Sequence, residues 1–230
     1  MWAQRTERTK MATLKINGDI IPSDYQDIYD YFEIEGTSPS KVQKVIDALE
    51  NGEKLTVQIN SPGGVVTAGQ EIYTMLRALS DVEIQITGIA CSAASIIAMA
   101  GPCYMSEPAM IMIHNVSSQA AGDYHEMEKT ADTLKRINKA LANAYEVKTG
   151  KSEDEILNMM DEETWLTAKD AIENGFSDGY IEKADDSAML NAFGTGLSIT
   201  KEQIEAFRKR ECEDKARKET LLNDLYKYGV

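Results

Sequence analysis

Residues 82–101 constrain this chain more than any other stretch. Val82-Glu83-Ile84-Gln85-Ile86-Thr87 alternates apolar and polar residues, the period of a strand with one buried face. Gly88 interrupts the alternation. A run of small and apolar residues then continues to Gly101, long enough for about three helical turns. Ser92 falls at the junction. A hydroxyl there stands at a helix N-terminus, where free backbone N–H groups and the positive dipole end favour a developing anion. The small neighbours Ala90, Cys91, Ala93 and Ala94 let another backbone approach closely. Two readings stay open on this stretch alone. Ser92 is either the N-cap of a buried small-residue helix or a nucleophile on a strand-to-helix turn.

The rest of the chain supplies a sheet for that strand. Leu14-Lys15-Ile16-Asn17-Gly18 reads as a first strand ended by glycine. Tyr25, Tyr29, Tyr31 and Phe32 crowd the next segment and are expected in the core or in a subunit contact. Ser38-Pro39 has the cap-then-proline order of a helix start, followed by Val42, Val45, Ile46 and Leu49 at helical spacing. Leu55-Thr56-Val57-Gln58-Ile59 is a strand running into the turn Asn60-Ser61-Pro62-Gly63-Gly64. A helix with Ile72, Met75, Leu76 and Leu79 on one face comes next, then the strand before Ser92. Strand–helix alternation of this kind implies an α/β fold, a mainly parallel sheet with helices on its faces, and sites at the carboxyl ends of strands. Residues 63–64 and 88–92 both lie at such ends.

Beyond Gly101, two short strands are expected at 103–105 and 109–113, the second ending in His114. A long helix follows at about 122–148, with Met127, Ala131, Leu134, Ile137, Leu141 and Ala144 as a narrow seam suited to another helix, here one from a neighbouring subunit. Ser152 opens a short helix, 164–167 is extended, a small helix ends at Gly175, and Tyr180-Ile181 closes the sheet. Residues 1–12 read as a flexible leader or pro-segment without the apolar stretch of a secretory signal. Residues 13–184 form the folded domain. Residues 185–230 read as a charged tail, partly helical, with a capping-box match at Thr200 and Gln203.

Composition excludes several classes of partner. A formal charge of −14 in 230 residues repels nucleic acid and anionic lipid. No apolar run approaches the 18 or so residues of a membrane span. The three cysteines, Cys91, Cys103 and Cys212, have neither metal nor disulfide spacing, as expected of a cytoplasmic chain. No metal and no cofactor is implied.

Serine-based acyl transfer needs a hydroxyl, a base, a group to orient the base, and N–H donors for the oxyanion. The chain has only two histidines. His114 follows an apolar strand and so lies on the sheet edge where Ser92 emerges, whereas His125 lies at the exposed start of the long helix. His114 is therefore a base candidate that competes with an ordinary packed histidine, and His125 reads as a surface residue. Gly64 and Ala93 fit the demand for oxyanion donors, one on a glycine turn and one at a helix start.

These segments resemble the Clp-type serine peptidases, the family of the proteolytic subunit ClpP. Ile59-Asn60-Ser61-Pro62-Gly63-Gly64-Val65-Val66-Thr67-Ala68-Gly69 is similar to the family's signature loop, and Gly88-Ile89-Ala90-Cys91-Ser92 to its Gly-x-Ala-x-Ser nucleophile segment. Met112-Ile113-His114-Asn115 is similar to its histidine segment, and Leu166-Thr167-Ala168 with Gly175 and Asp178 to its closing segment. The resemblance implies a ClpP/crotonase-like superhelix of ββα units with a protruding handle helix. It implies Ser92 as nucleophile rather than Ser95, His114 as general base, and Gly64 and Ala93 as the oxyanion hole. The family's acid lies two residues before the closing segment's aromatic residue, here Trp165. That places glutamate, Glu163, where aspartate is usual, with Asp161 as a rival. Val116 also stands where the family has proline.

The serine helix and the tail look more like the Clp-related head maturation proteases of tailed bacteriophages. The implied function is a serine endopeptidase in a homo-oligomeric ring or double ring, cutting capsid or scaffold polypeptides in the host cytoplasm or prohead interior. Other readings are a cellular degradative subunit working with an AAA+ unfoldase, and a catalytically inactive ring component. A crotonase-type acyl-CoA enzyme shares the superstructure and the oxyanion pocket but relies on carboxylates instead of a Ser–His pair.

Overall fold

A computed structural model describes residues 11–182; the tail expected at 185–230 and residues 1–10 of the expected leader lie outside the described residues. The chain runs β1 (Met11–Ile20), α1 (Gln26–Tyr31), β2 (Gly36–Thr37), α2 (Pro39–Asp47), β3 (Lys54–Gly64), α3 (Val66–Arg77) and β4 (Val82–Cys91). It continues through α4 (Ala93–Ala98), β5 (Cys103–Met105), β6 (Met110–Ile113), α5 (Tyr124–Thr149), α6 (Glu153–Asp161), β7 (Thr164–Thr167), α7 (Ala168–Glu173) and β8 (Gly179–Tyr180). The first strand begins at Met11, inside the span expected to be leader.

The strands form one sheet in the order β2-β1-β3-β4-β5-β8, all parallel; β6 pairs in parallel with β4, and β7 pairs antiparallel with β6. Register aligns the apolar positions into rows. Leu14, Val57, Ile84 and Cys103 form one row across the sheet, and Ile16, Ile59, Ile86 and Met105 the next. All eight are buried, in one core cluster with Val42 of α2, Ile72 and Leu76 of α3, and Ile97 of α4. The intervening residues Lys15, Gln58 and Gln85 are polar. Strict alternation therefore gives one apolar face for helices to cover.

Three departures from the sequence reading shape the site. Residues 61–64 are not a free turn: β3 runs on to Gly64, which pairs with Ile20, and the polypeptide turns only afterwards. Helix α4 spans six residues instead of three turns, because Met99 and Ala100 donate to the carbonyls three residues back and tighten the end. Tyr25, Tyr31 and Phe32 are more than half exposed, so they do not belong to the core of this chain.

The long helix α5 has the expected place and firm ends. Asp123 and Glu126 form a capping box, and Gly150 closes it in the left-handed conformation. Only its second half is anchored, through Leu141, Ala142, Ala144 and Tyr145. Tyr124 and Met127 in the first half are exposed, which leaves the N-terminal part of the seam uncovered in a single chain. Among the described residues, no helix is long and apolar enough to cross a membrane.

Candidate active site

Strand β4 delivers Ser92 by bending. Its pairing with β3 shifts between Ile59 and Ser61, which leaves extra residues at 87–89. Asn60 fills the bend: its Oδ1 accepts from the Ile89 N–H, and a Cβ on Gly88 would lie 2.3 Å from that oxygen. Past the bend, residues 89–91 leave β5 and pair with β6. Ser92 N–H then donates to Met112 O at 2.9 Å. The serine itself adopts φ 54° and ψ −123°. Such a backbone conformation is costly for a residue with a Cβ and persists only where its surroundings enforce it. Its side chain makes no capping hydrogen bond to α4, which removes the N-cap reading.

The hydroxyl instead meets His114. Strand β6 ends at Ile113, and His114 Nε2 lies 2.8 Å from Ser92 Oγ. Both residues are half-buried, so the pair is shielded yet reachable. Ser95 is fully buried and occupied: its Oγ donates to Ser92 O at 2.6 Å and lies 2.8 Å from the Tyr145 hydroxyl. Burial pushes the Tyr145 phenol pKa up, which keeps it protonated in that contact. Burial likewise raises the thiol pKa of Cys91 beside the serine.

Of the two oxyanion candidates, Ala93 directly follows the serine. Ala93 opens α4, so its N–H is among the donors a helix leaves without internal partners. Gly63, at φ +97°, presses the end of β3 onto the same spot. A Cβ there would come within 2.5 Å of Cys91 O, 2.7 Å of Ser92 Cβ and 3.1 Å of Ala93 N. Gly64 follows on this strand end, at φ +150°. Gly63 is a residue that the sequence argument passed over in favour of Gly64; its signal was the doubled glycine.

The two acid candidates are separated from the imidazole in different ways. Strand β7 pairs with β6 from Met110↔Thr167 to Ile113↔Thr164. The pairing ends at Ile113↔Thr164, one residue short of both His114 and Glu163. Glu163 leaves the strand there, at φ 51°, and its exposed carboxylate accepts from the Trp165 indole at 3.4 Å. Asp161 accepts from Asn115 Nδ2 at 2.6 Å. Among the described residues, His114 hydrogen-bonds to Ser92 and to neither carboxylate. Serine and histidine are thus brought together, while neither acid candidate hydrogen-bonds to the imidazole. Among the described residues, no group of three or more His, Cys, Asp or Glu side chains is placed to hold a metal.

This geometry gives the comparisons with known proteins their meaning. Residues 27–184 match the family model described as Clp protease. The chain belongs to the Clp protease family. Its mixed α/β architecture, mostly parallel sheet and long α5 are the fold of that family, and with it the chain is a serine-type peptidase. It is 34% identical over 142 residues to the ATP-dependent Clp protease proteolytic subunit of Bacteroides fragilis, a stretch covering 60% of this chain and 69% of that protein. It is 33% identical over 146 residues to proteolytic subunit 1 of Streptomyces avermitilis, covering 62% of this chain and 67% of the relative. For the Porphyromonas gingivalis subunit the identity is 30% over 142 residues, covering 60% and 64%. The matches thus span about two thirds of the length of these Clp subunits.

Proposed function

We propose that the chain is a serine endopeptidase in which Ser92 is the nucleophile and His114 the general base. The observation that carries this reading is the 2.8 Å Nε2–Oγ contact at a serine with strained backbone. Ser92 Oγ attacks the peptide carbonyl while His114 Nε2 takes its proton. The carbonyl oxygen becomes an oxyanion held by the N–H groups of Gly64 and Ala93. The C–N bond then breaks, His114 returns the proton to the leaving amine, and water hydrolyses the acyl-enzyme by the same route. Glu163 is the group that steadies the imidazolium, supported by its place directly before β7, the strand that pairs with β6 up to the residue before His114.

A cavity of about 510 Å³ between Gly64–Thr67 and Val116–Ser118, floored by Leu134 and Ile137, offers room for an extended polypeptide. Val66 and Val116 line it and also line the small recess at Ser92, so the two spaces share a wall. The uncovered half of α5 supports assembly into a homo-oligomeric ring or double ring. The family match ending at residue 184 supports a peptidase domain over 13–184 with the remainder appended. For substrate, we favour capsid or scaffold polypeptides in a tailed phage, on the resemblance of the serine segment.

A second reading is a cellular degradative subunit working with an AAA+ unfoldase; the names of the curated relatives, which describe the proteolytic subunit of an ATP-dependent protease, support it. Fluorophosphonate labelling of assembled protein followed by peptide mapping tests the chemistry, with modification of Ser92 expected and absence of any adduct overturning it. Degradation of a folded, tagged substrate only when an AAA+ unfoldase and ATP are supplied would select the second reading.

A further inference from the structure

A line of side-chain hydrogen bonds runs through the segment that follows His114. The Val116 N–H donates to Asn138 Oδ1 at 2.9 Å, Asn138 Nδ2 donates to Asn115 Oδ1 at 2.8 Å, and Asn115 Nδ2 donates to Asp161 Oδ1 at 2.6 Å. These groups come from three places: the irregular segment after β6, the middle of α5 and the last residue of α6. Both ends of the line are one-way, because a backbone N–H only donates and a carboxylate only accepts. Each carboxamide between them therefore has a single orientation that satisfies both neighbours. Flipping Asn138 would set donor against donor at Val116, and flipping Asn115 would set oxygen against oxygen at Asp161. Bonds that all run in one direction also polarise one another.

His114 stands at the start of the segment this line holds. Up to Ile113 the backbone is fixed by pairing with β7, and Met112 O is fixed by Ser92 N–H. Past Ile113 that ladder stops, and residues 114–121 have no regular structure. The two bonds at Asn115 and the one at Val116 replace the ladder where it ends.

We propose that Asn115, Asn138 and Asp161 are positioning residues that fix the backbone beyond His114, so that Nε2 stays in line with Ser92 Oγ. Asp161 then acts through Asn115 and not as the imidazole's charge partner. This rests on the Ser92–His114 reading. Small displacements of a reacting group are expensive in rate: a 1 Å misplacement costs roughly 100-fold.

The test compares Asp161→Asn, which keeps an acceptor for Asn115 and removes the charge, with Asp161→Ala, Asn138→Ala and the Asp161→Ala/Asn138→Ala double variant. Readouts are kcat, KM, the pH profile of kcat/KM, the rate of fluorophosphonate labelling and the melting temperature. Expected are losses of about tenfold in kcat for Asp161→Ala and Asn138→Ala with KM changed less than about twofold. Asp161→Asn should stay within about threefold of the wild type, the acid limb should not move in any variant, and the double variant should be about as slow as the worse single one. An Asp161→Asn variant as slow as Asp161→Ala, with a displaced acid limb, would make Asp161 the charge partner and overturn the proposal. Wild-type rates in both alanine variants, or strictly additive losses, would overturn it too. Alanine is favourable in a helix, so Asn138→Ala is expected to fold; if it does not, the Asp161 pair decides. Failure of the wild type to label at Ser92 would instead remove the underlying reading.

Discussion

The two halves of the candidate site are held by different kinds of structure. Ser92 and His114 emerge from neighbouring parallel strands whose backbones bond directly, with α4 and the Gly63 strand end packed on the serine. Glu163 follows a short helix, sits at a left-handed residue before a four-residue edge strand, and faces solvent. Ser92 and Glu163 are two of the three non-glycine residues with positive φ among the described residues. At Ser92 this conformation is locked between core elements. At Glu163 it falls on an exposed residue between α6 and β7. The proposed Ser92–His114 pair is thus set against core elements, whereas the Glu163 carboxylate sits on the rim.

That contrast ranks the substitutions. Ser92→Ala and His114→Ala should each lower kcat by about 10⁴-fold or more, since nucleophile and base act as a unit and the loss of either removes nearly all of the acceleration. Steady-state hydrolysis of a fluorogenic peptide measures this, and a melting temperature near that of the wild type should accompany it. Retention of activity in either variant would break the comparison outright. Gly63→Ala is expected next. The added methyl would press on Cys91 O and Ser92 Cβ, at a φ that costs a side chain about 1–3 kcal/mol. Labelling of Ser92 should fall about 100-fold and the melting temperature should drop. A Gly63→Ala protein that labels normally would mean that the strand end is not held against the serine.

Glu163→Gln probes the looser half. A buried, bonded triad acid is worth about 10⁴-fold, but an exposed carboxylate acts through solvent and is worth less, so a loss of about 10- to 100-fold in kcat is expected. A loss of less than about threefold would take Glu163 out of the site.

The same contrast explains what the sequence made legible. The alternation in residues 82–87 and 55–59 sets which residues face the core, so the sheet and its mainly parallel pairing follow from pattern, which also puts Ser92 and His114 at the same sheet edge; their pairing was implied by the family resemblance. The shortness of α4 was not legible, because a run of alanines and isoleucines suits a long helix equally well. Only the need to enter β5 at Cys103 ends it. Asn138 was invisible for a related reason. A polar residue on a helix carries no mark of its partner until the 22- and 23-residue separations to Val116 and Asn115 are closed by the fold. Glu163 was set above Asp161 by the family resemblance, while the partner each carboxylate takes, the Trp165 indole or Asn115, needed the fold.

The smallest expected effect concerns the contact that now occupies the acid. Glu163 Oε1 accepts from the Trp165 indole at 3.4 Å, a long bond between two exposed groups. On the role proposed for Glu163, the indole and the imidazole would compete for one carboxylate. Trp165→Phe keeps an aromatic ring and removes the N–H donor. A weak, solvent-exposed bond contributes at most about 1 kcal/mol, so freeing the carboxylate should change kcat by less than about fivefold, and upward. A decrease of tenfold or more with an unchanged melting temperature would mean that the indole holds the glutamate in its working position. The rim would then be as deliberately arranged as the core, and the comparison would fail at its weaker side.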